Sequence, residues 1–428
     1  MAEKVYIVDY ELLSPIALGR ENLSKNLANN LMGETLVTNF DTSGMPFKVG
    51  AEIKQDLKYL YQSEDQKIIT ACKYDRKLEL LVACYHLGKD RFEKICQYSN
   101  PERAGVILGV GSDVTKFALF EEELEVIFEK EKEPYKELIA LQNNDIGQVN
   151  TIWNPYDIHA IYIAEKLQLA AFQESILTAC TSSTQAIAFG FDAIKNASCD
   201  LVVCGGTDSI INTLALASFG KLGVIPECDG SEIPSCFPFD FNRKGTLAGE
   251  AAGLVILVSE TYLKKHQLTP IAELLSYGNT LDGYKITAPD PEGTAMRKAI
   301  RQAIESGGIS PDKIDYIQAH GTATRHNDVI ETAAIKDVFG DSIKGVWISS
   351  TKDRHGHAIA AAGIQEFNIL LNGMENDFMP ANINLKNPVD ETVNFIRKNK
   401  KQRINYALTN NFAFGGVNTS ILLKNTKK

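Results

Sequence analysis

The sequence predicts an α/β fold with buried sheets, and three observations support this prediction. Short runs rich in β-branched residues recur along the whole chain. Segments with apolar residues at helical spacing lie between these runs. The apolar runs are continuous rather than alternating, which is typical of strands that helices cover on both faces.

The predicted elements follow one another from end to end of the chain. The predicted helices include the stretch after Cys180 and residues 292–306. Residues 120–142 are acidic, and we expect an exposed helical insertion there or, alternatively, a helix that docks a partner. A weak internal duplication predicts two related halves, residues 1–259 and 260–428. The predicted strands are residues 5–9, 104–110, 200–206, 253–259, 314–320, 346–350, 404–412 and 419–424.

The composition restricts the class of protein. Of the 428 residues, 44% are hydrophobic and 23% charged, which is a globular balance. A net charge of −10 argues against nucleic acid as a general partner. No apolar run reaches the ~18–20 residues that span a bilayer, and the N-terminus lacks the pattern of a signal peptide. We therefore expect a cytoplasmic protein with no membrane span.

The eight cysteines show no C-x-x-C pair, so a zinc ribbon or a thioredoxin-like site is not expected. Most of them lie in apolar runs, where a cysteine packs as a small hydrophobic residue in a reducing compartment. Cys180 differs, because a strand-like segment leads into it and a helix follows at once.

The surroundings of Cys180 suit a nucleophile. Thr181, Ser182 and Ser183 are small polar residues that can cap the first helical turn. A thiol at a helix N-terminus faces unpaired N–H groups and the positive end of the dipole, which lowers a cysteine pKa. The backbone N–H of Cys180 can also point at an oxyanion formed on a thioester. This segment alone leaves open a buried structural cysteine.

Two later segments place histidines at strand or loop ends. His320 closes an apolar strand and meets a turn of small residues, and Asp328 and Glu331 then lie on one helix face. Lys352 and His357 lie around a tight loop that contains glycine. A buried lysine needs a carboxylate nearby, and Glu366 or Glu331 can serve. Each histidine, taken alone, can also be a hydrogen-bonded structural residue.

The fourth and last segment that suggests a functional site is LTNNFAFGGVNTSILL. Phe412 and Phe414 precede the glycine pair Gly415–Gly416. Two glycines before a strand permit unusual backbone angles and a close approach to a ligand. An ordinary hairpin turn would give the same pattern.

The four segments together resemble the signature blocks of the β-ketoacyl-acyl-carrier-protein synthases, closest to the synthase I/II type. The blocks are TACTSS, AHGTAT, STK-x-x-x-G-H and NFAFGG, in this order. The resemblance covers nearly the whole chain, including LLSPIA near the start, residues 237–257 and residues 380–388. Each block alone is a moderately specific signal of this family, whereas all four blocks in this order are a strongly specific one.

This resemblance implies a five-layered αβαβα thiolase fold with two related halves in one chain, and a dimer. It implies that Cys180 takes an acyl group from an acyl-carrier-protein thioester. His320 and His357 would then stabilise the enolate formed when a malonyl thioester loses CO₂. The backbone N–H groups of Cys180 and Phe414 would form the oxyanion hole. The reaction would be a decarboxylative Claisen condensation, which needs no metal.

Further roles also come from the resemblance. Lys352 matches the family's active-site lysine, which shares a polar network with the position of Glu366. Asp328 and Glu331 match a supporting acidic pair. Phe414 matches a phenylalanine that separates the acyl and malonyl sites.

The substrates arrive on a phosphopantetheine arm, so the resemblance implies no further cofactor. Thr322 and Thr324 match threonines that hydrogen-bond this arm. Lys73, Arg76 and Lys77 match basic positions that dock the acidic carrier protein, and such a patch would steer an anionic partner to an acidic chain. An ordinary solvated helix face remains the alternative for these three residues.

Several positions depart from the family pattern. Ser112 and Asp113 stand where an apolar residue touches the acyl chain at the dimer interface, and residues 113–150 are expanded and acidic. Arg325 and His326 replace small residues beside His320. We therefore expect a specialised pathway, such as an aryl-polyene or polyketide pigment, rather than housekeeping elongation of saturated fatty acids.

Other functions fit the sequence less well. A chain-length factor, the non-condensing partner of a heterodimeric ketosynthase, would lack the nucleophile, although this chain can still be the active half of such a heterodimer. A cysteine hydrolase would use Cys-His with an orienting acid or amide and would not need the lysine block. A thiolase would carry a second catalytic cysteine near the C-terminus, and no cysteine follows Cys236.

Overall fold

The computed structural model describes residues 3–112, 156–228 and 235–427. Fifteen strands are assigned within these residues. The acidic segment at 120–142 lies outside the described residues. The strands are β1 (Val5–Ser14), β2 (Ala17–Leu18), β3 (Glu34–Leu36), β4 (Val49–Ala51), β5 (Ala104–Val110), β6 (Gln173–Ile176), β7 (Leu201–Ser209), β8 (Ala248–Ser259), β9 (Ala272–Leu281), β10 (Tyr316–Gln318), β11 (Trp347–Ser349), β12 (Phe378–Met379), β13 (Lys400–Lys401), β14 (Tyr406–Phe412) and β15 (Val417–Asn425).

The α-helices of the described residues lie between these strands. They are α1 (Arg20–Ala28), α2 (Lys58–Tyr61), α3 (Gln66–Tyr74), α4 (Arg76–Cys96), α5 (Ile158–Leu167), α6 (Ser182–Lys195), α7 (Thr213–Lys221), α8 (Glu260–Lys265), α9 (Thr294–Ser306), α10 (Asn327–Phe339), α11 (Lys352–His355) and α12 (Ala362–Asn376).

The main sheet repeats one topology twice. Its order is β11-β10-β14-β15-β9-β1-β8-β7-β5-β6. In the first half β5 runs parallel to β6 and β7, and β8 runs antiparallel to β7 and β1. In the second half β10 runs parallel to β11 and β14, and β15 runs antiparallel to β14 and β9. The predicted α/β class is confirmed. We infer from the repeat that the halves are related, and the boundary between residues 259 and 260 stays a prediction.

Most of the predicted strands coincide with observed strands, but β10 is shorter than predicted. The pattern predicts a strand over residues 314–320, whereas β10 ends at Gln318. Gly321 and Ala323 have φ angles of 37° and 61°, so the chain turns sharply just beyond the strand. The turn places His320 at the strand end rather than within the ladder, as the small residues after it suggested.

Two buried helices, α6 and α12, hold corresponding positions in the two halves. In the first half α6 follows β6, and in the second half α12 follows β11. In chain order, each of these two strands is the third of the five strands that its half contributes to the main sheet order. The helices approach closely at Gly363, where an added Cβ would lie 2.0 Å from Thr184 Oγ1. The backbone N–H of Ile364 donates to Ser183 Oγ at 2.9 Å. Because the N-terminal turns of both helices touch, the segments that lead into them meet in the middle of the molecule.

Within the described ranges, no helix combines the length and the apolar character that crossing a bilayer requires.

Candidate active site

Cys180 lies in a strained turn between β6 and α6. Ala179–Thr181 form a single 3₁₀ turn, and Ala179 has a φ of 50°, which a residue with a side chain rarely adopts. The expected capping by side chains is wrong. The hydroxyls of Thr181 and Ser182 donate back to the carbonyls of Thr178 and Ala179, at 2.8 Å each, and so stabilise the turn itself.

The structure brings the predicted nucleophile and both histidines together. Cys180 Sγ lies 3.1 Å from His357 Nε2. The Cys180 sulfur, one ring nitrogen of His320 and one ring nitrogen of His357 all lie within 4.8 Å of one another. The two imidazole rings meet edge to face, with centroids 5.4 Å apart and an interplanar angle of 80°. All three side chains are buried.

The electrostatics of the pair differ from the sequence expectation. Burial raises the pKa of the Cys180 thiol to about 12, although the charge of Lys352 and the backbone N–H of Phe414 act in the opposite direction. Burial, and then the charges of Lys352 and His355, hold the pKa of His357 well below its usual value. The expected lowering of the cysteine pKa is therefore wrong in this state. Both shifts favour the neutral thiol and the neutral imidazole.

His320 is held in one tautomer by two donors. Its Nδ1 lies 3.4 Å from Lys352 Nζ and 3.4 Å from Asn411 Nδ2. Since an ammonium and an amide NH₂ both donate, Nδ1 is the acceptor and the ring proton resides on Nε2. Burial and the nearby Lys352 keep the pKa of His320 well below its usual value. His320 thus offers a neutral Nε2–H donor.

Lys352 and Glu366 form a fully buried ion pair behind the histidines. Lys352 Nζ also donates to the His320 carbonyl at 2.6 Å, and Glu366 Oε2 accepts from Asn411 Nδ2 at 2.8 Å. Of the two carboxylates that the sequence left open, Glu366 is thus the partner of the lysine. The ion pair and the amide form one network that orients His320.

Glu331 has a different task, since it fixes the backbone at His320. Its two oxygens accept the N–H groups of His320 and Gly321, at 2.8 Å each. Burial raises its pKa to about 7. Asp328, one turn earlier on α10, accepts the N–H of Phe239 at 2.7 Å and that of Ala323 at 3.1 Å. The acidic pair supports the loop that follows β10 and touches no other catalytic side chain by a hydrogen bond.

A cleft of about 780 Å³ opens onto Cys180, His320 and His357. Thr322 and Thr324 line it, with their hydroxyls 2.9 Å apart. Apolar side chains make up much of its wall, among them Ile210, Phe219, Val224, Ile225, Met296 and Ile359. A mostly apolar cleft that ends at a thiol suits an acyl chain.

Phe414 lies on the wall of this cleft, next to the glycine pair. Gly415 and Gly416 have φ angles of 84° and 80°, so the pair takes a turn that other residues would resist. The N–H of Gly415 donates to the carbonyl of Ile286 at 2.6 Å. The backbone N–H of Phe414 faces the Cys180 sulfur and acts to lower the pKa of the thiol. Its part in an oxyanion hole stays a prediction.

Part of the predicted docking patch is wrong. The side chain of Lys77 is buried, and Arg76 pairs with Glu250 and Glu79 at 2.7 Å each. Lys77 therefore cannot contact a carrier protein. A docking role for Arg76, whose side chain is 25% exposed, and for Lys73 stays a prediction. Lys73 is exposed on α3.

Of the two predicted acyl-pocket positions, Ser112 does not reach the cleft within one chain. Ser112 is exposed just beyond β5 and is absent from the cleft lining. Asp113 and the rest of residues 113–150 lie outside the described residues. The role of Ser112 and Asp113 at a dimer interface stays a prediction.

The Cys-His-His donor set has the residue types of a zinc site, but the surroundings do not suit one. A metal-bound histidine usually donates its other N–H to a carboxylate or carbonyl. Here the other nitrogen of His320 faces the Lys352 ammonium and an amide NH₂. Binding a metal at Nε2 would move the ring proton to Nδ1, against two donors. The arrangement favours an organic reaction that uses Nε2–H.

Asn411 is the functional residue that the sequence analysis missed. It orients His320 and Glu366 together, and its own carbonyl oxygen accepts from Thr184 Oγ1 at 2.6 Å. The available signal was the Asn-Asn pair directly before FAFGG. Of that pair, Asn411 faces the catalytic network.

Family models match the two halves of the chain. Residues 2–261 match the β-ketoacyl synthase N-terminal domain, and residues 271–386 match the C-terminal domain. The chain belongs to the β-ketoacyl synthase family. A relative from Synechocystis, 3-oxoacyl-[acyl-carrier-protein] synthase 2, is 27% identical over 99% of this chain and 98% of its own. The synthase 2 of Staphylococcus aureus is 28% identical over 99% of this chain and 98% of its own.

Solved ketosynthases share the fold. The ishigamide ketosynthase/chain length factor aligns with a TM-score of 0.84 at 23% identity and covers 100% of both chains. The ketosynthase ApeO in complex with its chain length factor ApeC, from Xenorhabdus doucetiae, aligns with a TM-score of 0.79 at 23% identity over 99% and 98% of the two chains. The predicted family and thiolase-like fold are confirmed for this β-ketoacyl synthase.

Proposed function

We propose that this β-ketoacyl synthase condenses an acyl group held on Cys180 with a malonyl group carried by an acyl carrier protein, and releases CO₂. The observation that supports this most is the contact of 3.1 Å between the Cys180 thiol and His357 at the end of an apolar cleft. A second histidine with a defined N–H donor lies beside it. Covalent holding divides a difficult condensation into two easier steps.

In the first step the acyl group moves to the enzyme. Cys180 sulfur attacks the thioester carbonyl, and His357 Nε2 takes the thiol proton and passes it to the departing carrier thiol. Two features support this role. His357 is neutral and 3.1 Å from the sulfur, and its Nδ1 has no hydrogen-bond partner among the described residues. Its tautomer is therefore free to change between accepting and donating at Nε2.

In the second step the malonyl thioester loses CO₂ and its electron pair passes to an enolate. The Nε2–H groups of His320 and His357 donate to the enolate oxygen. The enolate carbon attacks the acyl-Cys180 carbonyl, whose oxygen would accept from the backbone N–H groups of Cys180 and Phe414. The Cys180 thiolate leaves and takes up a proton from water, which restores the resting thiol. Donors that already point at the developing charge contribute most to such a step, and losing one costs ~10²–10³ in rate.

Intact mass spectrometry tests this proposal. Incubation with acyl-carrier-protein thioesters should add one acyl group to the wild type and none to Cys180→Ala. His320→Ala should still gain the acyl group but release no CO₂ from malonyl carrier protein, since His320 makes no hydrogen bond to the sulfur. Acylation of Cys180→Ala would refute the proposal.

For the pathway we propose a specialised polyene or polyketide product. The support is the polar pair Ser112 and Asp113, where the family pattern has an apolar residue against the acyl chain. Acylation rates with saturated and polyenoyl carrier proteins test it, and a clear preference for saturated medium chains would contradict it. We also propose a cytoplasmic location and no cofactor beyond the phosphopantetheine of the carrier.

We propose that the chain works as a dimer, either with itself or with a chain-length-factor subunit. The support is the edge strand β6, which pairs with β5 on one side and has no partner on its other side within the described residues. Leu177 and Phe189, 43% and 38% exposed, lie on the adjoining segments. Light scattering of the chain alone separates the two cases, because a homodimer needs no second subunit.

A further inference from the structure

The imidazole of His357 lacks the orienting groups that His320 has. Lys352 and Asn411 face Nδ1 of His320, whereas Nδ1 of His357 forms no hydrogen bond to any residue that the structure describes. A catalytic base is usually oriented by a neighbour that binds its second nitrogen. The orientation of His357 therefore depends on packing and on the main chain that carries it.

This main chain is held on both sides of the peptide group between Gly356 and His357. The N–H of His357 donates to the carbonyl of Leu247 at 2.8 Å. The carbonyl of Gly356 accepts from Nδ1 of His355 at 2.8 Å. In the next peptide group, the carbonyl of His357 accepts from the N–H of Gly249 at 3.1 Å. The start of β8 and one side chain, that of His355, thus fix the plane of the peptide.

Gly356 is the reason why such a restraint matters. Its φ is 67°, and an added Cβ would lie 2.7 Å from the carbonyl oxygen of Ala248, so a larger residue does not fit. A glycine leaves the peptide group beyond it with more rotational freedom than any other residue would. The hydrogen bond from His355 limits that rotation directly before the catalytic histidine.

His355 makes this bond as a neutral ring with its proton on Nδ1. Burial lowers the pKa of His355 to about 3, so the ring carries a single proton. Because a carbonyl oxygen only accepts, that proton resides on Nδ1, and Nε2 is left as an acceptor. The hydroxyl of Thr351 lies 2.9 Å from Nε2 and supplies the donor. Thr351 thus selects the tautomer that the bond to Gly356 requires.

The same direction of donation continues away from the cleft. The oxygen of Thr351 accepts from Gln318 Nε2 at 3.3 Å, and Gln318 Oε1 accepts from the hydroxyl of Tyr316 at 2.6 Å. All of these side chains are buried. The chain of hydrogen bonds therefore runs one way, from Tyr316 to the carbonyl of Gly356, and holds His355 in place.

We propose that His355 is a positioning residue for the condensation, which sets the orientation of His357 through the carbonyl of Gly356. The inference rests on the proposed function for the reaction that it names. His355 is not among the residues that line the cleft, so it acts on the reacting atoms only through His357. It keeps its proton throughout, while His357 Nε2 faces the Cys180 sulfur at 3.1 Å.

Two amide substitutions separate positioning from stability. His355→Asn keeps an N–H donor near the place of Nδ1, whereas His355→Gln carries its amide one bond further, near the place of Nε2. Each loses one of the two hydrogen bonds of the ring, so both should lower Tm to a similar extent.

The two variants should differ in rate. We expect His355→Gln to lose about tenfold or more in the acylation rate and in kcat, and His355→Asn to stay within about threefold of the wild type. KM for the malonyl carrier protein should stay unchanged in both, because His355 does not touch the cleft. His266→Gln, at the end of α8, is the matched control and should change none of these values.

Alkylation of Cys180 by iodoacetamide gives a second readout that needs no acyl donor. A displaced His357 no longer accepts from the thiol, so alkylation should be several-fold slower in His355→Gln than in His355→Asn. Equal rates of the two variants in both assays would overturn the inference. A loss of rate that follows the loss of Tm in both variants would also overturn it, since His355 would then serve stability alone. If the wild type takes up no acyl group while the alkylation rates still differ, the proposed function fails and the positioning role stands.

Discussion

At Cys180 two physical effects oppose each other, and burial is the stronger. The helix N-terminus and Lys352 favour a thiolate, but burial raises the thiol pKa to about 12. Below that pH the thiolate fraction grows about tenfold per pH unit. We therefore expect the rate of Cys180 alkylation by iodoacetamide to keep rising between pH 7 and about 10. Peptide mass spectrometry at Cys180 measures this, with Cys180→Ala as the blank, and a plateau near pH 8 would contradict it.

The Lys352–Glu366 pair is a second test at the residue scale. Lys352→Met leaves Glu366 buried without its cation, which typically costs about 3–5 kcal/mol. The double variant Lys352→Met/Glu366→Leu removes both charges, so it should regain most of that stability in a guanidinium denaturation curve. Condensation should stay lost in both variants, because Nδ1 of His320 no longer faces an ammonium. A double variant that is as unstable as Lys352→Met would show that the unpaired Glu366 carboxylate does not cause the loss of stability.

The same residues show what a sequence reveals. Cys180, His320, His357 and Lys352 each stand in a short motif, and the four motifs in order resemble one family, so their roles could be predicted from that resemblance. Asn411 could not be singled out, because its role depends on contacts with His320 and Glu366 that lie far away along the chain. The net pKa of Cys180 also depends on burial, which a local pattern does not contain.

At the scale of elements, the site depends on how closely α6 and α12 approach. Gly363→Ala would place a Cβ against Thr184 of the facing helix, and such overpacking typically costs about 1–3 kcal/mol. We expect a lower Tm and slower acylation, because Cys180 and His357 lead into these two helices. Gly345→Ala is the matched control, since no atom lies within 4 Å of its added Cβ. Equal effects of the two substitutions would contradict this account.

The elements themselves were largely predictable, but their pairing was not. The predicted strand at 104–110 coincides with β5, since a continuous apolar run bounded by turn residues identifies a buried strand. The order of strands in each half, and the contact between α6 and α12, depend on tertiary packing. Arg76 and Lys77 show the same limit, because a basic run on a helix does not reveal which charges point inward.

For the whole molecule, the net negative charge and the exposed cations beside the cleft (Lys244, Arg325 and Lys386, together called the entrance rim) make opposite predictions about salt. If net charge decided the encounter, screening would help an acidic carrier protein to approach a chain with a charge of −10. If the local rim decides it, screening weakens the attraction and raises KM. We expect the second result, a several-fold rise in KM for the carrier protein from about 50 to about 500 mM salt, while KM for acyl-pantetheine stays constant. Steady-state kinetics across that range measure it. A fall in KM with added salt would show that the long-range repulsion of the whole chain outweighs the rim.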